Sequence, residues 1–228
     1  MIEAVIEEVQ PVAVDSQLSE VSAGFEWSPP TEIIAWAVER FGGRLSLASS
    51  FQDLVVVDLA MKVDPSIEVV FLDTGSHFPE TLAFVEEMRE RLGINLTVLH
   101  PGPEAEAWPC GSAQCCEFRK VAPLQAHLTD RDAWMTGLRR AEAPTRATAP
   151  IVSFDPGFGV VKVNPLATWS DEDVAGYVRD HDLPVHPLKS GGYLSIGCEP
   201  TTRPVSVGQH SRAGRWAGMD KTECGLHG

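Results

Sequence analysis

Between residues 44 and 99 the chain alternates short apolar runs with longer runs of helical spacing, and this alternation limits the fold more than any other feature. Arg44-Leu-Ser-Leu-Ala-Ser-Ser50 reads as a strand, and residues 52–63 carry apolar side chains nearly all round, which suits a helix packed on a sheet. Ile67-Glu-Val-Val-Phe-Leu-Asp73 reads as a second strand. Residues 79–92 read as a helix opened by Pro79 in its first turn, and residues 94–99 as a third strand. Parallel strands joined by crossover helices satisfy this spacing, so the expected class is α/β with a parallel sheet. Further along, residues 131–137 and 160–163 read as strands. Residues 138–150 read as an arginine-bearing loop, and 170–180 as a helix with Ser170 and Asp173 in capping-box positions.

The ends read differently. Residues 1–28 are acidic and interrupted by Pro11 and Gly24, which predicts a loosely ordered arm. A helix is expected from Thr31, as N-cap, to Phe41, stopped by Gly42-Gly43. From Pro184 onward repeated glycines predict irregular, closing structure. The expected organisation is one domain over residues 29–228, with residues 209–228 forming a tail that closes on it.

Charge narrows the partners. The net charge is −14, and the first 40 residues hold eight acids against Arg40 alone, which argues against nucleic acid. The bases crowd instead into Arg119-Lys120, Arg139-Arg140 with Arg146, and Arg203, Arg212, Arg215 and Lys221. An acidic chain that gathers its guanidinium groups in this way suits a small anion. No apolar run approaches a bilayer's thickness, and Met1-Ile-Glu-Ala-Val-Ile-Glu-Glu lacks the basic start of a secretory signal; the expected location is cytoplasmic, away from membranes. Thiols stay reduced there, so five cysteines point to metal binding or catalysis before disulfides.

Parallel sheets place ligands at the carboxyl ends of their strands, and two polar clusters fall there. Ser49-Ser50-Phe51-Gln52-Asp53 follows the first strand and can turn hydroxyls and amides toward a phosphate, although it lacks the glycines and lysine of the common P-loop. Leu72-Asp73-Thr74-Gly75 follows the second, where an aspartate can accept from a ribose or adenine. Taken alone, each is compatible with an ordinary strand-to-helix turn. The tandem Cys115-Cys116 is more telling. On a helix its side chains diverge by about a hundred degrees, awkward for one tetrahedral zinc but suited to a cluster with several iron corners, and Cys198 would supply a further thiolate. Last, Lys221-Thr-Glu-Cys224-Gly-Leu-His227-Gly228 carries a thiol that the sequence leaves exposed and mobile, flanked by bases that favour the thiolate.

Over roughly residues 30–228 the chain resembles the assimilatory adenylyl-sulfate reductases of the sulfonucleotide reductase family. The matching pieces are Ser49-Ser-Phe-Gln-Asp53, Leu72-Asp-Thr-Gly75, Cys115-Cys-x-x-Arg-Lys120, Thr136-Gly-Leu-Arg-Arg140, Ala143-Pro-Thr-Arg146, Ser195-Ile-Gly-Cys198, Arg212-Ala-Gly-Arg215 and Glu223-Cys-Gly-Leu-His227. The resemblance implies a Rossmann-like, adenine-nucleotide alpha hydrolase-like sheet and a nucleophilic reduction of adenosine 5′-phosphosulfate. Cys224 would attack the sulfonyl sulfur, and a thioredoxin would release sulfite from the resulting S-sulfonate. Lys120, Arg212 and Arg215 would stabilise the leaving phosphate; Arg139, Arg140 and Arg146 would hold the 5′-phosphate or close over the nucleotide. Ser49, Ser50, Gln52, Asp53, Leu72, Asp73, Thr74, Gly75 and His227 complete the implied substrate site. Cys115, Cys116 and Cys198 would hold a [4Fe-4S] cluster.

One departure stands out. Relatives that carry the cluster read Cys-x-x-Cys where this chain reads Cys198-Glu-Pro-Thr201. Three explanations stay open: Cys110 replaces the missing ligand, three thiolates hold the cluster with a water or small ligand on the fourth iron, or the site is partly degenerate. Beside the leading reading stand a reductase of the 3′-phosphorylated nucleotide, an ATP pyrophosphatase of the same fold, and a non-enzymatic iron–sulfur sensor.

Overall fold

The structure is a computed structural model that describes residues 11–219, 221 and 223–226. Its centre is the sheet expected from the alternation. Strands β1 (Leu45–Ala48), β2 (Glu68–Leu72) and β3 (Leu96–Leu99) are joined by helices α3 (Val55–Val63) and α4 (Pro79–Leu92). They follow α1 (Pro11–Gly24) and α2 (Pro30–Phe41) and precede a helical stretch made of α5 (Ala113–Cys116), a π turn over Glu117–Val121 and α6 (Ala122–Leu128). Next come β4 (Ala133–Thr136), β5 (Val152–Asp155), β6 (Val160–Val163) and α7 (Asp171–Asp180).

The strand order among the described residues is β3-β2-β1-β4-β6-β5. Every pairing is parallel except β5 with β6. Strand β1 is flanked by β2 on one side and β4 on the other, so the direction of winding reverses between β1 and β4. A crevice at the carboxyl ends of these strands is where an open parallel sheet takes its ligand. Ile33, Ile34, Leu47, Val57, Val69, Met88 and Met135 build the main core. A smaller cluster of Leu124, Leu128, Trp134 and Val160 also packs against Leu226 of the tail.

Several boundaries follow local chemistry. Pro79 opens α4 and Gly93, at φ 66°, closes it. Ser170 accepts from the Asp173 amide while the Asp173 carboxylate accepts from the Ser170 amide, the reciprocal cap expected for α7. Thr31 does not cap α2: the helix starts one residue earlier, behind Pro29, with no side-chain cap.

The larger correction concerns the arm expected over residues 1–28. Over its described part the chain forms α1, whose Leu18 and Val21 pack on the core together with Phe25 just beyond it. Ser22 Oγ accepts from the amides of Ile151 (3.0 Å) and Val152 (3.2 Å), and Glu26 pairs with Arg140. The acidic composition hid a helix whose apolar side chains are satisfied by a distant strand. Residues 1–10 lie outside the described residues.

Candidate active site

The crevice between β1 and β4 is a cavity of about 170 Å³. Its walls come from the ends of three strands: Ala48 of β1 with Ser49 and Ser50 after it, Val70, Phe71 and Leu72 of β2, and Trp134 and Thr136 of β4 with Gly137 after it. The loop after β1 turns sharply at Phe51, whose φ is 55°, and Ser49 Oγ accepts the Phe51 amide at 3.2 Å. Gln52 and Asp53 line the cavity too. Gln52 Oε1 accepts the Ile196 amide at 3.3 Å, so the serine loop also steadies the segment carrying Cys198. Burial, ahead of the opposing charge of Lys189, raises the Asp53 carboxyl above its usual range.

The opposite wall is cationic. Lys120, Arg146, Arg212 and Arg215 all line the cavity. Burial acts to lower Lys120, but the electrostatic pull of the neighbouring Cys198 and Cys224 outweighs it and the amine stays above its ordinary value. Arg215 reaches its place because position 197 is glycine: a Cβ there would sit 2.3 Å from Arg215 Nη2. The guanidinium donates to the Ile196 carbonyl (3.2 Å) and lies 4.5 Å from the Trp216 ring centre. Burial pushes both Arg212 and Arg215 below the usual arginine value, as like charges gathered in one place must.

The tail supplies a thiol. Cys224 lines the cavity and is half-buried, which corrects the expectation of an exposed, mobile thiol. Three contacts dock it. Lys221 Nζ reaches the carbonyls of Gly111 (3.3 Å) and Ser112 (3.1 Å) and the sulfur of Cys116 (3.1 Å). Glu223 accepts from Arg146, from Thr145 Oγ1 (3.0 Å) and from Arg212 Nη2 (3.3 Å). Leu226 packs on the Trp134 cluster while Lys162 Nζ meets its carbonyl at 3.4 Å. Gly225, at φ 82°, makes the bend that lets all three anchors engage around Cys224.

Not every residue singled out in the sequence reaches this cavity. Asp73 accepts the Gly75 amide (2.9 Å) in a local turn. Thr74 is buried, with Oγ1 3.5 Å from Cys198 Sγ and its carbonyl accepting from Arg119 Nη1 at 2.7 Å. Of this motif only Leu72 lines the crevice; Asp73, Thr74 and Gly75 lie beside the cysteine site instead, and Gly75 keeps its Cβ position clear of Arg119. Arg139 is buried and paired with Asp171 (2.7 Å). Arg140 binds Glu26 and the Ala149 carbonyl (2.8 Å), a contact that fixes the N-terminal helix. Neither arginine lines the crevice: Arg139 turns to Asp171 and Arg140 to Glu26, both away from it. His227 lies outside the described residues.

Among the lining residues without a counterpart in the sequence expectations, three are polar or aromatic groups with evident partners. His77 stacks 5.0 Å from the Phe71 ring, and its Nε2 donates to the Leu72 carbonyl at 2.9 Å. A carbonyl only accepts, so the proton is on Nε2, and buried Nδ1 is an acceptor with no partner among the described residues. Glu142 holds Arg146, and Trp216, at φ 49°, is ringed by Arg212, Arg215 and Lys221. The aromatic residue among arginines and a lysine was the available signal for Trp216; nothing local marked His77 or Glu142.

Behind Lys120 and Arg215, which also face the crevice, Cys110, Cys115, Cys116 and Cys198 line a second, smaller cavity with Thr201. All four thiols are free. Cys198 is held low, chiefly by the hydrogen bond from Cys110 and then by Lys120 and Thr74, and Cys110 is correspondingly raised. Among the described residues no group of three or more His, Cys, Asp or Glu is disposed to hold a metal ion. A single ion needs its ligand atoms gathered about one point, whereas the thiolates of an iron–sulfur cube attach at separate corners. Four soft sulfurs round one cavity, with basic side chains beside them, match the second donor pattern.

Comparison with known proteins agrees with this geometry. A family model described as the phosphoadenosine phosphosulfate reductase domain matches residues 44–204. An adenosine 5′-phosphosulfate reductase of Rhodococcus opacus is 44% identical, covering 90% of this chain and 91% of its own. That of Streptomyces coelicolor is 47% identical over 86% of this chain and 87% of its own. Among solved structures, the phosphoadenylyl-sulfate reductase of Candida auris, a phosphate complex, superposes with a TM-score of 0.72 at 25% identity, over 82% of this chain and 97% of that one. The FMN adenylyltransferase of Candida glabrata shares the fold alone, with a TM-score of 0.60 at 14% identity over 84% of this chain and 74% of its own.

Proposed function

The chain belongs to the phosphoadenosine phosphosulfate reductase family, and from that premise we propose that it reduces adenosine 5′-phosphosulfate to sulfite and AMP with Cys224 as nucleophile. The observation that carries this reading is the docking of Cys224 into the same crevice as Lys120, Arg146, Arg212 and Arg215. A sulfur nucleophile and a phosphate-binding wall then face one bound molecule.

The step balances without an external oxidant. The Cys224 thiolate attacks the sulfonyl sulfur, the bond from that sulfur to the phosphate oxygen breaks, and AMP leaves with the electron pair. Charge builds on the leaving phosphate, where buried guanidinium and ammonium groups stabilise it without reorganising. A dithiol then supplies two electrons: one thiolate attacks the Cys224 sulfur and expels sulfite, and the second resolves the mixed disulfide. A thioredoxin in the cytoplasm fits that role. The tail must lift for this second attack, and the anchors at Lys221 and Glu223 are polar contacts that can exchange for water, while Leu226 must leave its apolar seat.

Cys115, Cys116 and Cys198 would hold a [4Fe-4S] cluster in the second cavity. When bound it would supply a charged centre that locks the cysteine-bearing helix to the segment at residues 195–198, behind Lys120. The sulfonation step belongs to the chain's own side chains, and the reducing step to the external dithiol.

The direct test mixes protein with adenosine 5′-phosphosulfate, without reductant, and measures AMP release and the mass of the terminal peptide. The expected result is one sulfonate added at Cys224 and none in Cys224→Ser. No mass gain and no AMP would overturn the reading, and a strong preference for the 3′-phosphorylated nucleotide in competition would change its substrate.

A further inference from the structure

We infer that Cys110 supplies the fourth thiolate of this chain's iron–sulfur site, in place of residue 201. The inference rests on the cluster assignment made above, and it concerns a residue that the family pattern does not contain.

Position 201 is unsuited in this chain. Thr201 lines the cysteine cavity, but its hydroxyl donates to the Cys198 carbonyl at 3.3 Å, inside its own turn. A hydroxyl is also a hard donor, whereas cluster iron selects thiolate. Its methyl group marks how near the neighbouring turn comes: a Cβ on Gly111 would lie 3.1 Å from Thr201 Cγ2 and 3.0 Å from Met219 Sδ. The turn bearing Cys110 therefore rests directly on Thr201, and it comes this close because Gly111, at φ 99°, has no side chain. A threonine at 201 and a glycine at 111 together bring residue 110 to the edge of the place that residue 201 would serve.

Cys110 is also placed with precision before any metal arrives. The Ser112 amide donates to the Pro109 carbonyl at 3.2 Å, closing a turn with Cys110 at its corner. Ser112 then caps α5, its Oγ accepting the Cys115 amide at 3.0 Å. Lys221 ties the carbonyls of Gly111 and Ser112 to the Cys116 sulfur, which links the turn to the tandem cysteines. Cys110 lines one small cavity together with Cys115, Cys116 and Cys198, the last of them far away in sequence. A thiol unrelated to the site has no reason to face all three.

The experiment is reconstitution of the anaerobic full-length chain with ferrous iron and sulfide, followed by iron and acid-labile sulfide counts, visible absorption and resistance to a chelator. The native chain should hold about four irons and four sulfides. Cys110→Ala should fall to about three irons or fewer, or bleach at least about 10-fold faster under chelator, within the range that loss of a metal-site contact produces. The double variant Cys110→Ala with Thr201→Cys should regain native iron content and native resistance; because it restores a thiolate at another position, it also answers the objection that Cys110→Ala merely misfolds. Cys110→Ala with full iron content and native resistance would overturn the inference, as would a double variant no better than the single one. If the native chain takes up no iron yet is sulfonated at Cys224, this inference falls and the proposed reaction stands. Iron uptake without sulfonation, lost in Cys110→Ala, would instead remove the proposed reaction and leave the ligand assignment intact.

Discussion

Arg146 grips Glu223 through two nitrogens, Nε at 2.8 Å from Oε1 and Nη2 at 2.6 Å from Oε2. The residue next to Cys224 thus shares with Glu142 a guanidinium that lines the crevice, and Arg212 joins the same Glu223 carboxylate. Burial acts to raise the Glu223 carboxyl, but the two guanidiniums hold it below the ordinary glutamate range, so the latch stays charged at neutral pH. Glu223→Gln keeps the shape and removes the charge. A charge-assisted bond is worth about 1.5–3 kcal/mol, so the undocked fraction of the tail should rise about 10- to 100-fold. Alkylation of Cys224 by iodoacetamide, followed on the terminal peptide, should accelerate by that factor. An unchanged rate would mean that Lys221 and Leu226 hold the tail unaided.

Gly197 bears on catalysis through space rather than through any group of its own. A methyl group there would stand 2.3 Å from Arg215 Nη2, so Gly197→Ala must displace the guanidinium from its contacts with Ser195 and Ile196. Removing one preorganised electrostatic group commonly costs about 10²- to 10³-fold in turnover, and the lower end is expected here because Arg215 is moved rather than lost. Steady-state kinetics beside Arg215→Ala decides the matter. A near-native rate in Gly197→Ala would show that Arg215 does not act in its observed position.

How much of this was legible in sequence depends on how local the cause is. The bounds of α4 and β6 matched the expectation to the residue, since proline, glycine and apolar spacing set them locally. Strand β5 lies in a stretch without a strand signal of its own and is stabilised by antiparallel pairing with β6. The extent of the helix that carries Cys115 and Cys116 was obscured by Pro123 and by the π turn before it, which widens the helix where α5 gives way to α6. Arg140 and Arg146 illustrate the limit best. They sit in one loop with the same chemistry, yet one binds Glu26 and the other Glu223, and no local pattern tells a structural partner from a functional one.

The N-terminal helix offers a test of that non-local dependence. Ser22 Oγ is the acceptor for two buried amides, those of Ile151 and Val152, at the start of β5. Ser22→Ala leaves both donors without that acceptor. Buried unsatisfied groups cost about 1–3 kcal/mol, and a chain of this size shifts its Tm by about 2–4 °C per kcal/mol. Thermal melting should therefore show a loss of several degrees, and hydrogen exchange should show faster opening of α1 and β5 than of β1 or β4. Uniform loss of protection would indicate that α1 unfolds only with the whole domain.

His186 makes the stability of the closing segment depend on pH. It is buried, its Nδ1 accepts the Leu188 amide at 3.2 Å, and so Nε2 carries the proton and donates to Thr81 Oγ1 at 3.0 Å. Protonating Nδ1 would set two N–H groups against each other in a dry site. Burial first, then the charge of Lys189 and the neighbouring His77, against the opposing pull of Glu80, lower the imidazole from 6.5 to about 4. The unfolded chain binds the proton more tightly than the folded one. This contribution is therefore complete above about pH 6.5, shrinks as pH falls toward 4, and has gone below it, with a slope of at most about 1.4 kcal/mol per pH unit. His186→Asn retains an acceptor for Leu188 but cannot titrate. Denaturant unfolding of both chains from pH 4 to 7 should give a stability difference that favours the native protein most at pH 7 and narrows on acidification. A difference that stays constant across that range would remove His186 as the cause, and Asp53, whose carboxyl burial raises, would be the next group to examine.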